Sequence, residues 1–377
     1  METIQMKKQL LAVAVASAFA STAFAANVTV YGTVDTGLVY THQSFGGALP
    51  TNGDSSKFSM DSGVLGASKF GFKGTEDLGD GYSVSFQLEN GFKADSGALS
   101  GADDNKLFDR EARLSLNTPY GTVSFGRMGA LTSGLGSYDV FQAAGDAMDG
   151  GYSDYIGTGY WFSRDRYDNM ITLVTPEANG FTGYAQYSFQ TKGTENANER
   201  ANTRYAALGL TYKAGALEAV VVADTVLRTS TEEKTYSDAQ AYSFGVNYDF
   251  GVTKAFFGAQ YGNHENIEFE FNTATTGTAK TYDNYFKGYN LHIGAATPLP
   301  CGTLTVSAYY GDYEAENDNT VTAKKYGFGA MHEYAISKRT TFYTGAGFAQ
   351  FDVKNDADDT AARQKGVNVT LGLNHKF

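Results

Sequence analysis

Residues 367–377 read VNVTLGLNHKF, and the fold class turns on how this stretch is read. Val367, Val369, Leu371 and Leu373 alternate with Asn368, Thr370, Gly372 and Asn374, and the series runs on through His375 to Phe377. A side-chain period of two is a strand signature, because successive residues of an extended chain point to opposite faces. One such strand would serve equally well in a soluble sandwich, so the rest of the chain must separate the two cases.

Similar runs recur upstream. They include VTVYGTVDTGLVY (28–40), SKFGFKG (68–74), YSVSFQLENGF (82–92), GTVSFGR (121–127), RYAALGLTYK (204–213) and TTFYTGAGFAQF (340–351), and with the closing stretch they number sixteen. The connections alternate in length. Short ones such as TPYG, TPEANG and PLPCG carry Gly, Pro and Asn, the residues of tight turns. Longer ones such as TEEKTYSD, GDYEAENDN and DVKNDADD are polar and acidic. Tight turns at one end and long loops at the other describe a transmembrane up-and-down antiparallel β-barrel, an all-β fold. Backbone in a bilayer must satisfy its own hydrogen bonds, so such a sheet has to close on itself. An even count of 16 strands closes it with both termini on the periplasmic side. Glu233, Glu268, Glu314 and Asp358 are then expected at the extracellular end, and Gly79, Pro119, Pro176, Pro298 and Ser337 at the periplasmic end.

The amino terminus agrees with export. METIQMKK carries Lys7 and Lys8, LLAVAVASAFA is apolar but too short to span a bilayer, and Ala23 and Ala25 form an A-x-A site. Residues 1–25 are read as a cleaved secretory signal peptide and 26–377 as the barrel. The chain is acidic, with a formal net charge of −12, which argues against a nucleic-acid partner. Its 26 Tyr, 26 Phe and 44 Gly accompany a mean hydropathy of only −0.32, so no run after the signal reads as a membrane helix. Cys301 is the one cysteine, which leaves no intramolecular disulfide and no thiolate cluster for zinc.

Several stretches resemble the Gram-negative general porins, above all the β-proteobacterial type. SKFGFKGTEDLGDGYSVSFQLENGF is similar to that family's second hairpin, FDREARLSLNTPYGTVSFGR to the next, and GLNHKF to its closing strand. The resemblance extends over essentially the whole mature chain. It implies a third loop folded into the lumen, a homotrimer, and a terminal Phe377 read by the barrel-assembly machinery. Outer-membrane lipids and lipopolysaccharide would surround the barrel, and small polar solutes and ions would pass through it.

The longest gap between runs, about Met128 to Asp165, fits that third loop and carries Asp139, Asp146, Asp149 and Asp154. Alternation turns Phe70 and Phe72 to lipid, and so Lys69 and Lys73 to the lumen. The same rule turns Glu89 inward, and Asp35 of the opening run is assigned to the lumen as well. In DREARLSL, alternation points Glu111 and Arg113 inward, whereas the resemblance places Arg110 in a basic wall; both arginines are carried forward. Arg164 and Arg166 share parity after the loop and are assigned to the same wall. Asp139, Asp146 and Asp149 would face Lys69, Lys73, Arg110, Arg113, Arg164 and Arg166 across water. Such a field lets oriented polar solutes through and disfavours bulky apolar ones. The acidic excess suggests a weak cation preference, which the basic wall would reverse.

The expected function is therefore a general diffusion channel. A channel specific for sugars or organic anions is the alternative. No G-x-S-x-G elbow, H-E-x-x-H or P-loop appears, so no enzyme is expected. No cofactor and no specific metal site are expected either, since the NDADD segment lacks the spacing of a calcium loop.

Overall fold

The computed structural model describes residues 28–47, 54–100, 106–148, 161–229, 237–267, 285–356 and 360–377. The signal segment, Asp149, Asp154, Glu233, Glu268 and Asp358 lie outside these residues.

The alternating runs form strands. The first half comprises β1 (Thr29–Gly47), β2 (Ser55–Ser62), β3 (Lys69–Gly79), β4 (Tyr82–Gly91), β5 (Glu111–Thr118), β6 (Gly121–Gly129), β7 (Arg166–Val174) and β8 (Phe181–Ser188). The second half comprises β9 (Arg204–Ala214), β10 (Leu217–Leu227), β11 (Ala239–Asp249), β12 (Lys254–Asn266), β13 (Tyr285–Leu299), β14 (Gly302–Ala315), β15 (Val321–Ala335), β16 (Thr340–Asn355) and β17 (Thr360–Lys376). From β3 onward each strand pairs antiparallel with the next, and β17 pairs with β1 over Thr33–Lys376 to Gly47–Ala362. Closure leaves no free edge. Seventeen strands make a sixteen-position barrel because β2 and β3 share one position. Both pair with β1, β3 over Thr29–Thr33 and β2 over Thr36–Gln43. The run at 68–74 is only the half of that position nearer the termini. Its other half, SSKFSMDS, carries just two large apolar residues, Phe58 and Met60, too weak a period to stand out in the sequence.

The faces are inverted relative to a soluble domain. Val369 is 46% exposed and Leu371 45%, while Asn368 between the runs is fully buried. Leu208, Ile293 and Phe328 stand exposed on the outside, and Ser115, Ser124, Gln186, Gln260 and Asn290 are buried on the inside. A polar interior with an apolar outer band suits a sheet surrounded by hydrocarbon. No helix among the described residues is long and apolar enough to cross a membrane; the crossing is made by strands.

The ends of the barrel differ less strictly than the connections suggest: β14 runs on to Ala315 and β16 to Asn355, so GDYEAENDN and DVKNDADD are about half strand. Asp80 turns at φ 53° between Gly79 and Gly81, which closes the β3–β4 hairpin. At the same end Phe377 exchanges two backbone hydrogen bonds with Gly32, at 3.0 and 3.2 Å. Its ring lies where a Cβ on Gly32 would have to stand, so glycine is required there.

Candidate functional site

At the opposite end, the chain leaves β6 and turns into the lumen. Among the described residues, 130–148 and 161–165 belong to this loop, which includes a one-turn helix, α1 (Phe141–Gly145). Its apolar side is laid against the barrel wall. Leu131 and Phe141 are fully buried, and Trp161 meets Phe141 edge-on with ring centroids 4.8 Å apart. A Cβ built on Gly245 would lie 2.9 Å from the Cα of Gly145, so β11 can take the helix this close only with glycine.

Polar groups of the wall hold the rest. Gln186 accepts from the Leu131 N–H at 3.0 Å, Gln260 accepts from the Phe162 N–H at 2.7 Å, and Asn247 donates to the Ala144 carbonyl at 3.0 Å. Glu111 on β5 takes the N–H and the hydroxyl of Ser137, at 2.5 and 3.0 Å. A strand whose side chains alternate can offer every second one to the loop. Alternation alone marks these residues only as inward-facing.

This anchoring corrects two assignments. Asp146 does not project toward the basic residues. It is 2% exposed and accepts from the Trp161 indole N–H and the Tyr309 hydroxyl, both at 2.8 Å. An acceptor with two donors on the same wall is held there rather than in open water. Arg164 borders a separate cavity of about 400 Å³, but it is largely buried and its charge is taken up by acids of the wall. Its Nε meets Asp224 at 2.6 Å, and its two terminal nitrogens meet Glu265 at 2.8 and 2.7 Å. Burial works against its charge, but Asp224 and Glu265 more than offset that and raise its pKa well above the usual value. The bidentate fork ties the returning root of the loop to β10 and β12.

The remaining charges gather on the other side. Glu89 accepts from Arg110 at 2.7 Å, lies 3.2 Å from the Lys69 ammonium and accepts from the Tyr31 hydroxyl at 3.0 Å. Arg113 bonds Glu111 at 3.0 Å and Gln87 at 2.9 Å, with its guanidinium 5.3 Å from the centre of the Tyr138 ring. Arg110 and Arg113 thus both belong to this group. Arg110 precedes β5, so strand parity does not govern it, and Arg113 obeys parity within β5. Lys69, Arg110, Glu111, Asp139, Met148 and Glu333 are among the residues lining one open cavity of about 680 Å³ beside the loop. Asp139 faces that cavity while its oxygens accept from the Gly134 and Ala143 N–H groups, each at 3.0 Å. Lys73 lies farther toward the short turns, with its ammonium 5.0 Å from the Tyr31 ring centre. Arg166 opens β7 within electrostatic range of Arg110 and Arg127, apart from Arg164.

One constellation escaped the sequence. Ser307, His292 and Asp146 come together, with His292 Nε2 at 3.1 Å from the serine hydroxyl and 3.4 Å from the carboxylate. A hydrolytic triad needs the acid on the other ring nitrogen. Here that nitrogen, Nδ1, donates to the Gly145 carbonyl at 2.9 Å. All three side chains are buried, so the trio clasps the loop.

A closed barrel with a polar interior, an apolar outer band and an inserted loop defines an outer-membrane channel. The comparisons agree. A family model described as Gram-negative porin matches residues 12–358. An outer membrane porin protein of Bordetella pertussis is 31% identical over 99% of this chain and 100% of its own length. Outer membrane porin protein 32 of Delftia acidovorans is 32% identical over 57% of this chain and 58% of its own. Among solved structures, an anion-selective porin from Comamonas acidovorans superposes with a TM-score of 0.62 at 24% identity, covering 93% of this chain and 99% of that one. The chain belongs to the Gram-negative porin family. It is an outer-membrane porin, and its family and fold are those of a channel rather than an enzyme.

Proposed function

We propose that the chain, after removal of residues 1–25, forms a homotrimer of general diffusion channels that pass small hydrophilic solutes and ions and favour anions. The observation that carries the sign of selectivity is the unequal use of charge. Asp35, Glu89, Glu111, Asp146, Asp224 and Glu265 are each no more than 5% exposed, and each is engaged in hydrogen bonds. Lys69, Arg110 and Lys376, each at least partly exposed, line the open cavity against two partly exposed acids, Asp139 and Glu333. A mobile ion therefore meets more accessible positive than negative charge in the lumen, although the chain as a whole is acidic. This reverses the preference that net charge suggests. The wall is polar and the cavity open, so affinity is unnecessary and throughput is favoured.

The remaining parts of the reading rest on the family. Phe377 would be read by the assembly machinery, lipopolysaccharide would contact the outer loops, and no catalytic role is assigned. Planar-bilayer recording of the purified protein across a salt gradient tests the reading. Stepwise conductance with an anion-selective reversal potential is expected. A cation-selective potential would overturn the assigned sign, and saturable block by one solute class would favour a substrate-specific channel instead.

A further inference from the structure

At one point of the barrel the register breaks. Thr33 of β1 pairs with Lys69 at the head of β3, while Thr36 pairs with Ser62 at the end of β2. Three steps along β1 therefore match seven along its neighbour. The four surplus residues leave the ladder as a bulge over 63–68, much larger than the usual single extra residue. The bulge points into the barrel. Val64 is 4% exposed and clusters with Val39, Met331 and Tyr343, and Leu65 and Met148 of the inserted loop pack against that cluster. Val64, Leu65, Gly66 and Ala67 line the same 680 Å³ cavity as Lys69, Arg110 and Asp139.

Asp35 holds this bulge. Its carboxylate is fully buried and accepts four hydrogen bonds. Oδ1 takes the Val64 N–H and the Tyr343 hydroxyl, both at 2.9 Å; Oδ2 takes the Gly66 N–H at 3.1 Å and the Asn374 amide at 2.8 Å. Two bonds go to the bulge and two to β16 and β17. The clip is completed by the Asp35 carbonyl, which accepts from the Gly63 N–H and the Ser68 hydroxyl at 3.0 and 2.9 Å. Only an ionised carboxylate accepts at all four sites. An amide would turn an N–H₂ group toward donors.

We propose that Asp35 is a positioning residue for permeation: by clipping the 63–68 bulge to the wall, it sets a second edge of the passage, next to Met148 of the inserted loop. The proposal rests on the channel reading above. The selectivity of a porin is then shaped by two elements, of which only the loop is recognisable in the sequence.

Deleting Val64–Ala67 would bring the two registers into line and give one continuous strand. In planar bilayers this variant should show a larger single-channel conductance than the parent, and in liposome swelling it should admit larger oligosaccharides. Asp35→Asn should raise open-channel current noise in the parent and add none in the deletion background, since no bulge remains to be held. A folded, heat-modifiable deletion variant with parental conductance and exclusion limit overturns the proposal. Equal effects of Asp35→Asn in both backgrounds overturn it too, because the residue would then serve the barrel alone. Where the deletion does not fold, Ala67→Trp decides: a reduced conductance is expected, and an unchanged one refutes the proposal. A parent without conductance would instead refute the channel reading itself.

Discussion

Asp139 and Asp146 lie seven positions apart on one loop, yet their surroundings assign them different work. Asp139 borders open water, while Asp146 is closed in by Trp161, Tyr309 and His292. Removing the charge of Asp146 should therefore leave the reversal potential where it is and loosen the loop. An Asp146→Asn variant is expected to keep parental selectivity and to lose about 1–3 kcal/mol from disrupted buried hydrogen bonds, read as a lower dissociation temperature on semi-native gels. A shift in reversal potential would place Asp146 in the passage after all. Lys69 and Arg110 should behave in the opposite way. Two unit charges 4 Å apart interact by about 1 kcal/mol in water and by ~4 kcal/mol at an effective dielectric of 20, and a wet constriction lies between. The double replacement Lys69→Gln and Arg110→Gln should move the reversal potential toward cations at low salt, where screening is weak. No movement would remove the basic group from the ion path.

At the scale of elements, the inserted loop is held at both roots. The outgoing root is tied through Leu131 and Thr132 to Gln186 and Asp224, and the returning root through Arg164 to Asp224 and Glu265. Taking one partner out of a buried ion group typically costs about 3–5 kcal/mol. Arg164→Gln should consequently lower thermal stability far more than Lys73→Gln, as followed by loss of strand circular dichroism on heating in detergent. Comparable losses would mean that the Arg164 cluster does not anchor the loop. The hairpins offer a separate test. Glu314 lies near the long-loop end of β14, whereas Pro298 lies beside the β13–β14 turn that holds Cys301. With Cys301 replaced, a cysteine at Glu314 should label on intact cells with an impermeant maleimide and one at Pro298 should not. The reverse pattern would invert the barrel in the membrane.

For the whole molecule, closure depends on the seam between β1 and β17. The seam runs from Thr33–Lys376 to Gly47–Ala362, and Phe377 extends it to Gly32. Until these strands meet, both carry unpaired backbone groups, which hydrocarbon penalises by several kcal/mol each. Deletion of Phe377 should slow assembly and reduce the folded, heat-modifiable form in outer-membrane fractions. Parental levels of that form would detach Phe377 from assembly. The proposed trimer should run as an oligomeric band that heating dissolves, and a monomer in mild detergent would refute it.

The sequence by itself determined the barrel. Alternation is a local property, and a period of two read at Val367–Leu373 already says which side chains meet lipid. Turn chemistry, also local, marked the short hairpins, while β2 went uncounted because its period is weak. Glu89, Arg113 and Lys69 were placed inward by parity alone. What parity could not decide is what an inward side chain meets. Asp35, Glu111 and Asp146 are acids on the lumen side; the first two are consumed by backbone segments brought to them from elsewhere in the chain, and Asp146 by the Trp161 and Tyr309 side chains. Arg164 finds Glu265 from 101 residues away. The bulge at 63–68 was hidden because a register break is a relation between two strands, invisible in either alone. Those long-range pairings, formed only when the sheet closes and the loop folds inward, decided which charges remain open to the passing solute.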